Sequence, residues 1–198
     1  MGKAVLRFVQ ETDAAQILEI YTPYIRDTAV TFECEVPSLA AFTQRIREFS
    51  AQYPYLVCEI DGWLVGYAYA HRQKERAAYG WNAELSVYLK QDYLRMGIGK
   101  AFYTALIDIL RLQNVRNVYG GVTVPNENSE KLHEAMGFQK LGVYHKTGYK
   151  RGAWHDVAWF ERHIGEGAAE PAPFLPVCAL DKYVLNNILN QCSALIRA

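Results

Sequence analysis

The sequence predicts an α/β fold in which a mixed sheet is flanked by helices, and three observations carry this prediction. Apolar residues alternate between strand-like runs and helical spacing in the order β-α-α-β-β-β-α-β-α-β-β. An Asp61-Gly62 pair joins two β-rich runs, which is a strong hairpin signal. The turn Gly97-Ile98-Gly99 leads from a strand directly into an amphipathic helix.

The first half of the chain contains the hairpin and two helices that precede it. Thr12-Asp13 and Ser38 are helix-capping residue types placed just before apolar residues at helical spacing. Gly66 predicts a bulge in the second hairpin strand. The predicted elements are a strand at 3–9, helices after Asp13 and Ser38, and strands at 55–60 and 63–71.

The second half continues the alternation of strands and helices. Gly137 is expected to close a short helix as its left-handed cap. The predicted elements are a strand at about 83–89, a helix after Gly99, a strand at 115–124, a helix at about 127–136, and strands at 138–146 and 154–160.

The chain divides at Ile164 into a domain and an appendage. Residues 1–164 form one predicted domain, and residues 165–198 form a linker with a C-terminal helical extension. The segment 165–173 is rich in Gly, Ala and Pro, as exposed linkers are. Apolar residues at helical spacing around Leu185 and Leu189 predict a last helix, which packs either on the body or on a second subunit.

Composition excludes several functional classes. Hydrophobic residues make up 51% and charged residues 21% of the 198, as in ordinary globular proteins. The 21 basic residues balance the 21 acidic ones, so no nucleic-acid partner is expected. No apolar run reaches the ~20 residues that span a bilayer, so no membrane partner is expected. The first residues lack a secretory apolar core, and the four cysteines lack zinc-ligand spacing, so a cytoplasmic protein without a metal is expected.

The first motif that points to chemistry is Arg95-Met96-Gly97-Ile98-Gly99-Lys100, between a strand and a helix. Its glycines would let backbone N–H groups approach a phosphate at the positive end of the helix dipole. A tight turn without a ligand is the alternative. A dinucleotide fingerprint is disfavoured, because Phe102 stands where its third glycine would be.

The second motif begins just past a strand and continues along a short helix. It reads Asn126-x-x-Ser129-x-x-Leu132-His133-Glu134-x-x-Gly137-Phe138. Leu132 is expected in the core, so His133, one step around the helix, faces either a cleft or solvent. A histidine in a cleft could carry protons near neutral pH.

Together the two motifs resemble those of the GCN5-related N-acetyltransferase (GNAT) superfamily. The family's diphosphate-binding turn reads Q/R-x-x-G-x-G/A, and Leu94 departs from its first position. The family's helix reads N-x-x-A-x-x-L-Y-E-x-x-G-F, in which Ser129 replaces Ala and His133 replaces Tyr. The resemblance implies the GNAT fold, with acetyl-CoA as co-substrate.

Further runs resemble the phosphinothricin and methionine sulfoximine acetyltransferases of that superfamily. The most specific is Gly148-Tyr149-Lys150-x-Gly152-x-Trp154-His155-Asp156-Val157, and the resemblance covers roughly residues 3–162. It implies transfer of acetyl from acetyl-CoA to the amine of a small amino-acid-like acceptor, without a metal, by a homodimer.

The resemblance also implies roles for individual residues. Glu84 matches the acid of the central strand, where it shares one face with Ser86 and Tyr88, and is expected to act as general base directly or through water. His133 would be a second proton-transfer group, in either direction. The expected acceptor-binding residues are Phe32, Arg76 and Tyr79. The expected cofactor-binding residues are Val87, Leu89, Arg95, Met96, Gly97, Ile98, Gly99, Lys100, Asn126 and Ser129.

Two other functions remain open at this point. The same fold could acetylate a peptide N-terminus or a polyamine, although the Arg76 guanidinium favours a small acidic acceptor. The chain could also be an acyl-CoA-binding module without catalysis. Loss of turnover with retained CoA binding on substitution of Glu84 or His133 would separate enzyme from module.

Overall fold

The computed structural model describes residues 2–165 and 170–197. Five helices and seven strands are found in these two ranges. The helices are α1 (Ala14–Asp27), α2 (Leu39–Gln52), α3 (Ile98–Leu112), α4 (Glu127–Ala135) and α5 (Lys182–Ser193). The strands are β1 (Ala4–Phe8), β2 (Tyr55–Ile60), β3 (Trp63–Arg72), β4 (Asn82–Leu89), β5 (Asn117–Val124), β6 (Gln139–Lys150) and β7 (Ala153–His163). The predicted order of elements is confirmed.

Local chemistry explains where several elements begin and end. The Ser38 hydroxyl accepts a hydrogen bond from the Ala41 N–H and caps α2, as predicted. Asp61 and Gly62 have φ of 51° and 84°, the paired positive values that a two-residue hairpin turn needs. Gly137 ends α4 with φ of 75°, as predicted.

One seven-stranded sheet has the order β1-β2-β3-β4-β5-β7-β6. The pair β4–β5 is parallel and the other neighbours are antiparallel, so the predicted mixed sheet is confirmed. The register between β2 and β3 shifts at Val65, which has no partner residue on β2. The sequence predicted the bulge one residue later, at Gly66.

The last two strands are longer than predicted because an aspartate supports an irregularity within β6. Lys146 has φ of 49°, and the register with β7 shifts between Tyr144 and Gly148. The Asp156 carboxylate accepts hydrogen bonds from the Lys146 N–H (2.7 Å) and from Nδ1 of His145 (2.8 Å). Strand pairing therefore resumes beyond the point where sequence alone predicts an end.

Two hydrophobic clusters cover opposite faces of the sheet. One face packs against α3 and α5, and the other against α1 and α2. On β4, Leu85 belongs to the first cluster, and Tyr88 packs against the second. The alternation predicted for this strand is therefore confirmed.

The C-terminal helix α5 packs on the body of the same chain, against β1 and α3, which resolves the choice left open by the sequence. Its buried face is Leu185, Leu189 and Cys192. The predicted linker falls partly on residues 166–169, outside the described residues. Beyond them, the carbonyls of Ala172 and Pro173 accept hydrogen bonds from side chains of the body. No helix in the described ranges is long and apolar enough to cross a membrane.

Candidate active site

A narrow cleft opens where β4 and β5 diverge. These strands pair only over Asn82–Glu84 and Asn117–Tyr119, and beyond this point the ladder between them ends. Helices α3 and α4 contribute side chains to the cleft wall. The lining residues are Val30, Leu85, Ser86, Val87, Tyr88, Tyr103, Gly121, Val122, Thr123, Asn126, Ser129 and His133.

Backbone polar groups of β4 point into this cleft. The Lys90 N–H donates to the Val65 carbonyl of β3, and along a strand the backbone bonds alternate between its two sides. The odd-numbered residues of β4 therefore direct their N–H and C=O groups toward β5. Because the ladder has ended there, Val87 presents an N–H group without a strand partner.

Leu89, which was also predicted to bind the cofactor, differs from Val87 because its backbone groups have a partner. The Tyr24 hydroxyl of α1 donates to the Leu89 carbonyl at 2.6 Å and lies 3.3 Å from the Leu89 nitrogen. The backbone of Leu89 is thus already engaged within the chain. Nothing in the sequence of α1 distinguishes Tyr24 as the residue that closes this end of the strand.

The glycine turn lies at the N-terminus of α3. Gly97 is the helix N-cap with φ of 84°, a left-handed conformation that glycine adopts without steric cost. The N–H groups of Ile98, Gly99 and Lys100 belong to the first helical turn, which has no intrahelical acceptors for them.

Some side chains of this turn pack in the core, and others are charged and exposed. Ile98 is fully buried and Met96 packs against the core, so these two residues offer only backbone groups. Arg95, with φ of 65°, and Lys100 are exposed and add two positive charges. Gly99 allows α3 to approach α4, since a Cβ there would lie 3.1 Å from Leu132. The turn can therefore bind a phosphate through backbone donors and flanking cations.

Helix α4 is held at its first turn by two predicted cofactor-binding residues. The Asn126 side-chain oxygen accepts from the Ser129 N–H at 3.2 Å and caps the helix. The Ser129 carbonyl in turn accepts from Nδ1 of His133 at 2.8 Å. Both residues line the cleft, but the Asn126 oxygen is already used in capping.

His133 faces the cleft and the protein interior, with only 3% of its surface exposed. A carbonyl can only accept, so the neutral ring carries its hydrogen on Nδ1, which donates to Ser129. Nε2 is therefore an acceptor and receives a hydrogen bond from the Tyr103 hydroxyl at 3.0 Å. Burial lowers the pKa of His133, although the Ser129 bond partly opposes this, and the neutral ring is favoured.

Glu84 lies on β4 opposite His71 of β3, on the face that packs against α1 and α2. Burial raises the pKa of its carboxyl, and the nearby His71 partly offsets this shift. No hydrogen bond to the carboxylate is found among the described residues. A half-buried carboxyl with a raised pKa is suited to accept a proton near neutral pH.

The two predicted proton-transfer residues do not meet. Glu84 alternates with Leu85 on β4, whereas His133 stacks on Phe160 in the hydrophobic cluster on the other face. Glu84 is also not among the residues that line the cleft. Tyr103 is close to both residues. Its hydroxyl is hydrogen-bonded to His133, and its pKa is raised by burial and, secondarily, by the charge of Glu84. Sequence reasoning missed Tyr103, which occupies an ordinary apolar-face position of α3.

The predicted acceptor-binding residues form two separate groups. Phe32 packs against the β6–β7 hairpin, where a Cβ at Gly148 would overlap its ring, and it lies near His155. Arg76 and Tyr79 lie in the loop before β4, and the Lys74 ammonium sits 4.8 Å from the Tyr79 ring centre. No hydrogen bond or ring–ring contact joins the two groups within the described residues. The same part of the chain contains no cluster of side chains arranged to bind a metal ion.

A family model described as the acetyltransferase (GNAT) domain matches residues 6–159. The chain belongs to the GNAT acetyltransferase family. This confirms the resemblance inferred from the glycine turn and the α4 motif. The GNAT match ends before α5, so the C-terminal extension lies outside the family model.

Named GNAT relatives cover most of the chain. Phosphinothricin N-acetyltransferase of Streptomyces viridochromogenes is 34% identical over 87% of this chain and 93% of its own length. L-methionine sulfoximine/L-methionine sulfone acetyltransferase of Salmonella typhimurium is 28% identical over 84% of this chain and 98% of its own length. The crystal structure of a phosphinothricin acetyltransferase from Sinorhizobium meliloti in complex with AcCoA is 34% identical, covers 86% of this chain and 94% of that one, and superposes with a TM-score of 0.82.

Proposed function

We propose that this enzyme transfers the acetyl group of acetyl-CoA to the amine of a small amino-acid-like acceptor of the phosphinothricin, methionine sulfoximine or methionine sulfone type. The observation that carries the proposal is the cleft between β4 and β5, which presents the free Val87 N–H. Tyr103 of α3 lines this cleft, and α3 begins at the donor-rich glycine turn. Relatives named for these acceptors match more than four-fifths of the chain.

The residues of the site fit acetyl-CoA, which supplies an activated thioester when bound. The first-turn N–H groups of α3, with Arg95 and Lys100, would bind the diphosphate. The unpaired backbone groups of β4 would bind the amides of the pantetheine arm in the manner of an added strand. Asn126 and Ser129 would flank that arm from α4.

Four groups would serve the chemistry. Glu84 would remove a proton from the acceptor ammonium through water, since the carboxylate lies outside the cleft lining. The Val87 N–H would donate to the acyl oxygen as negative charge develops on it. Tyr103 and His133 would form a path by which one proton passes from the amine through the hydroxyl to Nε2 and returns to the departing sulfur.

The decisive experiment incubates the enzyme with acetyl-CoA and a panel of acceptors, with mass spectrometry of the product and measurement of released CoA thiol. The panel contains phosphinothricin, methionine sulfoximine, methionine sulfone and the standard amino acids. Peptides with free N-termini and polyamines serve as the comparison set. Faster acetylation of peptides than of free amino acids would overturn the proposed acceptor class, and no thiol release with any amine would overturn catalysis.

We further propose that the enzyme is a homodimer. The β6–β7 hairpin presents large apolar side chains to solvent, as expected of a surface that a partner covers. They are Leu141, Tyr144, Tyr149 and Trp154, each more than half exposed.

A cytoplasmic location completes the proposal. All four cysteines are free, as is usual in a reducing compartment. Burial raises the pKa of Cys58 to about 12 and that of Cys192 to about 11, which makes both thiols poor nucleophiles.

A further inference from the structure

The chain that follows α5 lies directly on the glycine turn. The Arg197 N–H donates a hydrogen bond to the Met96 carbonyl at 2.9 Å. The Leu195 carbonyl lies 3.0 Å from the position that a Cβ on Gly97 would occupy. We call residues 194–197 the C-terminal tail. This tail, which no part of the family model covers, therefore contacts the turn that is proposed to bind the coenzyme diphosphate.

The tail does not occupy the phosphate-binding groups of the turn. Its bond to the turn uses the Met96 carbonyl, whereas anion binding would use the N–H groups of Ile98, Gly99 and Lys100. Those donors have no backbone acceptor in the described part of the chain. The tail thus fixes the turn from one side and leaves its donors available.

Arg197 carries a positive charge on a segment that is hydrogen-bonded to this turn. Its backbone is tied to Met96, one residue from Gly97. Its side chain is exposed and forms no ion pair within the described ranges. The tail is also anchored upstream, because the Ser193 hydroxyl accepts a hydrogen bond from the Leu6 N–H at 2.8 Å and Ile196 packs on the core.

We propose that Arg197 is a third cation of the coenzyme A phosphate site, beside Arg95 and Lys100, and that the C-terminal tail holds it there. The inference rests on the proposed binding of acetyl-CoA at the glycine turn. The recognised chemistry is a phosphate, which on this coenzyme is either the diphosphate or the 3′-phosphate.

The test is the dissociation constant of CoA, measured by isothermal titration calorimetry on the full chain. Arg197→Ala should weaken CoA binding about three- to tenfold, as expected for loss of one partly solvated cation–phosphate contact, and the loss should shrink at high salt. Arg197→Lys should retain part of the affinity. Lys182→Ala removes the same charge from the other end of α5 and should leave the affinity unchanged.

Repeating the titrations with 3′-dephospho-CoA identifies which phosphate is contacted. If Arg197 faces the 3′-phosphate, Arg197→Ala and wild type will bind dephospho-CoA equally. If it faces the diphosphate, the loss will persist.

A chain that ends at Ser193 tests the role of the tail, with thermal unfolding as a check that the fold is intact. It should bind CoA at least as weakly as Arg197→Ala. Unchanged affinity of Arg197→Ala, or tighter binding by the shortened chain, would overturn the proposal. Wild-type protein that fails to bind CoA at all would instead overturn the proposed function.

Discussion

The Tyr103 hydroxyl donates to Nε2 of His133 at 3.0 Å, and this bond joins helices α3 and α4 across the cleft. Its direction is fixed by the second ring nitrogen, which is committed to the Ser129 carbonyl. In the proposed reaction His133 would therefore begin as a proton acceptor, a direction that the sequence left open.

Replacing Tyr103 with Phe should lower kcat about 100-fold or more, the usual range for loss of a proton-transfer group, and change the dissociation constant of CoA little. The buried Nε2 loses its partner, so unfolding free energy should fall by about 1–3 kcal/mol. Steady-state kinetics and denaturant unfolding measure the two effects. Tyr183→Phe, at an exposed position of α5, is the control. Full activity of Tyr103→Phe would contradict the proton path.

Gly120 should be intolerant of a side chain because His133 lies against it. A Cβ at Gly120 would stand 2.2 Å from Nε2 of His133, so the ring would have to move. We expect Gly120→Ala to lower unfolding free energy by about 1–3 kcal/mol and to lower activity. Gly142→Ala on β6 meets nothing within 4 Å and should be nearly neutral. Equal stability of the two variants in urea unfolding would contradict the observed packing.

Glu84→Gln should lower kcat by about 10²–10⁴-fold while CoA binding is retained. Burial raises the pKa of the Glu84 carboxyl, so the acidic limb of the kcat/KM profile should lie above the ordinary glutamate value of 4.5. A general base acts in its ionised form, so activity should be lost as pH falls through this pKa. Glu19→Gln, on the exposed side of α1, is the matched control. An unchanged acidic limb in Glu84→Gln would assign it to another group.

The Arg7–Asp13 ion pair should make the free energy of unfolding depend on pH in the acidic range. Burial alone would raise the pKa of Asp13, but the bonds from Arg7 (2.7 and 2.9 Å) and from the Gln10 N–H outweigh it and hold the pKa below its ordinary value. The pair therefore stabilises fully above the unfolded pKa of about 3.9, and its contribution is lost as pH falls through the lower, folded pKa.

Asp13→Asn should cost about 1–3 kcal/mol at pH 7, and the difference from wild type should disappear in strong acid. Urea unfolding across pH 2–7 measures it. Arg47, whose exposed pair with Glu11 should contribute little to stability, provides the control Arg47→Gln. A difference from wild type that stays constant across this pH range would contradict the ion-pair explanation.

Trp154→Glu should shift the protein from dimer to monomer, since it places a charge on the apolar hairpin surface. Light scattering coupled to size-exclusion chromatography measures the mass. Trp63→Glu is the control, because Trp63 is 67% exposed at the β2–β3 hairpin and Trp154 is 59% exposed at the β6–β7 hairpin. A wild-type monomer, or a Trp154→Glu dimer as stable as wild type, would contradict the proposed interface.

Most of the element order was predictable because its signals are local. The Ser38 cap, the Asp61-Gly62 turn and the glycine turn each act within a few residues, and each is found as predicted. The extension of β6 was not predictable, since it depends on Asp156 supporting the backbone of another strand.

The candidate site was only partly predictable. The motifs identified Glu84, His133 and the glycine turn, but a motif contains no information about which face of the sheet each side chain occupies. Tyr103 and Tyr24 had no signal, because an aromatic residue in an amphipathic helix is usually core.

The sequence by itself determined the order of strands and helices and the family, because periodicity, turn residues and short motifs act over a few positions. Only the tertiary structure decided that β4 and β5 diverge, that Glu84 and His133 lie on opposite faces, and that the tail rests on the glycine turn. These relationships arise from packing between segments distant in the chain, which local patterns do not encode.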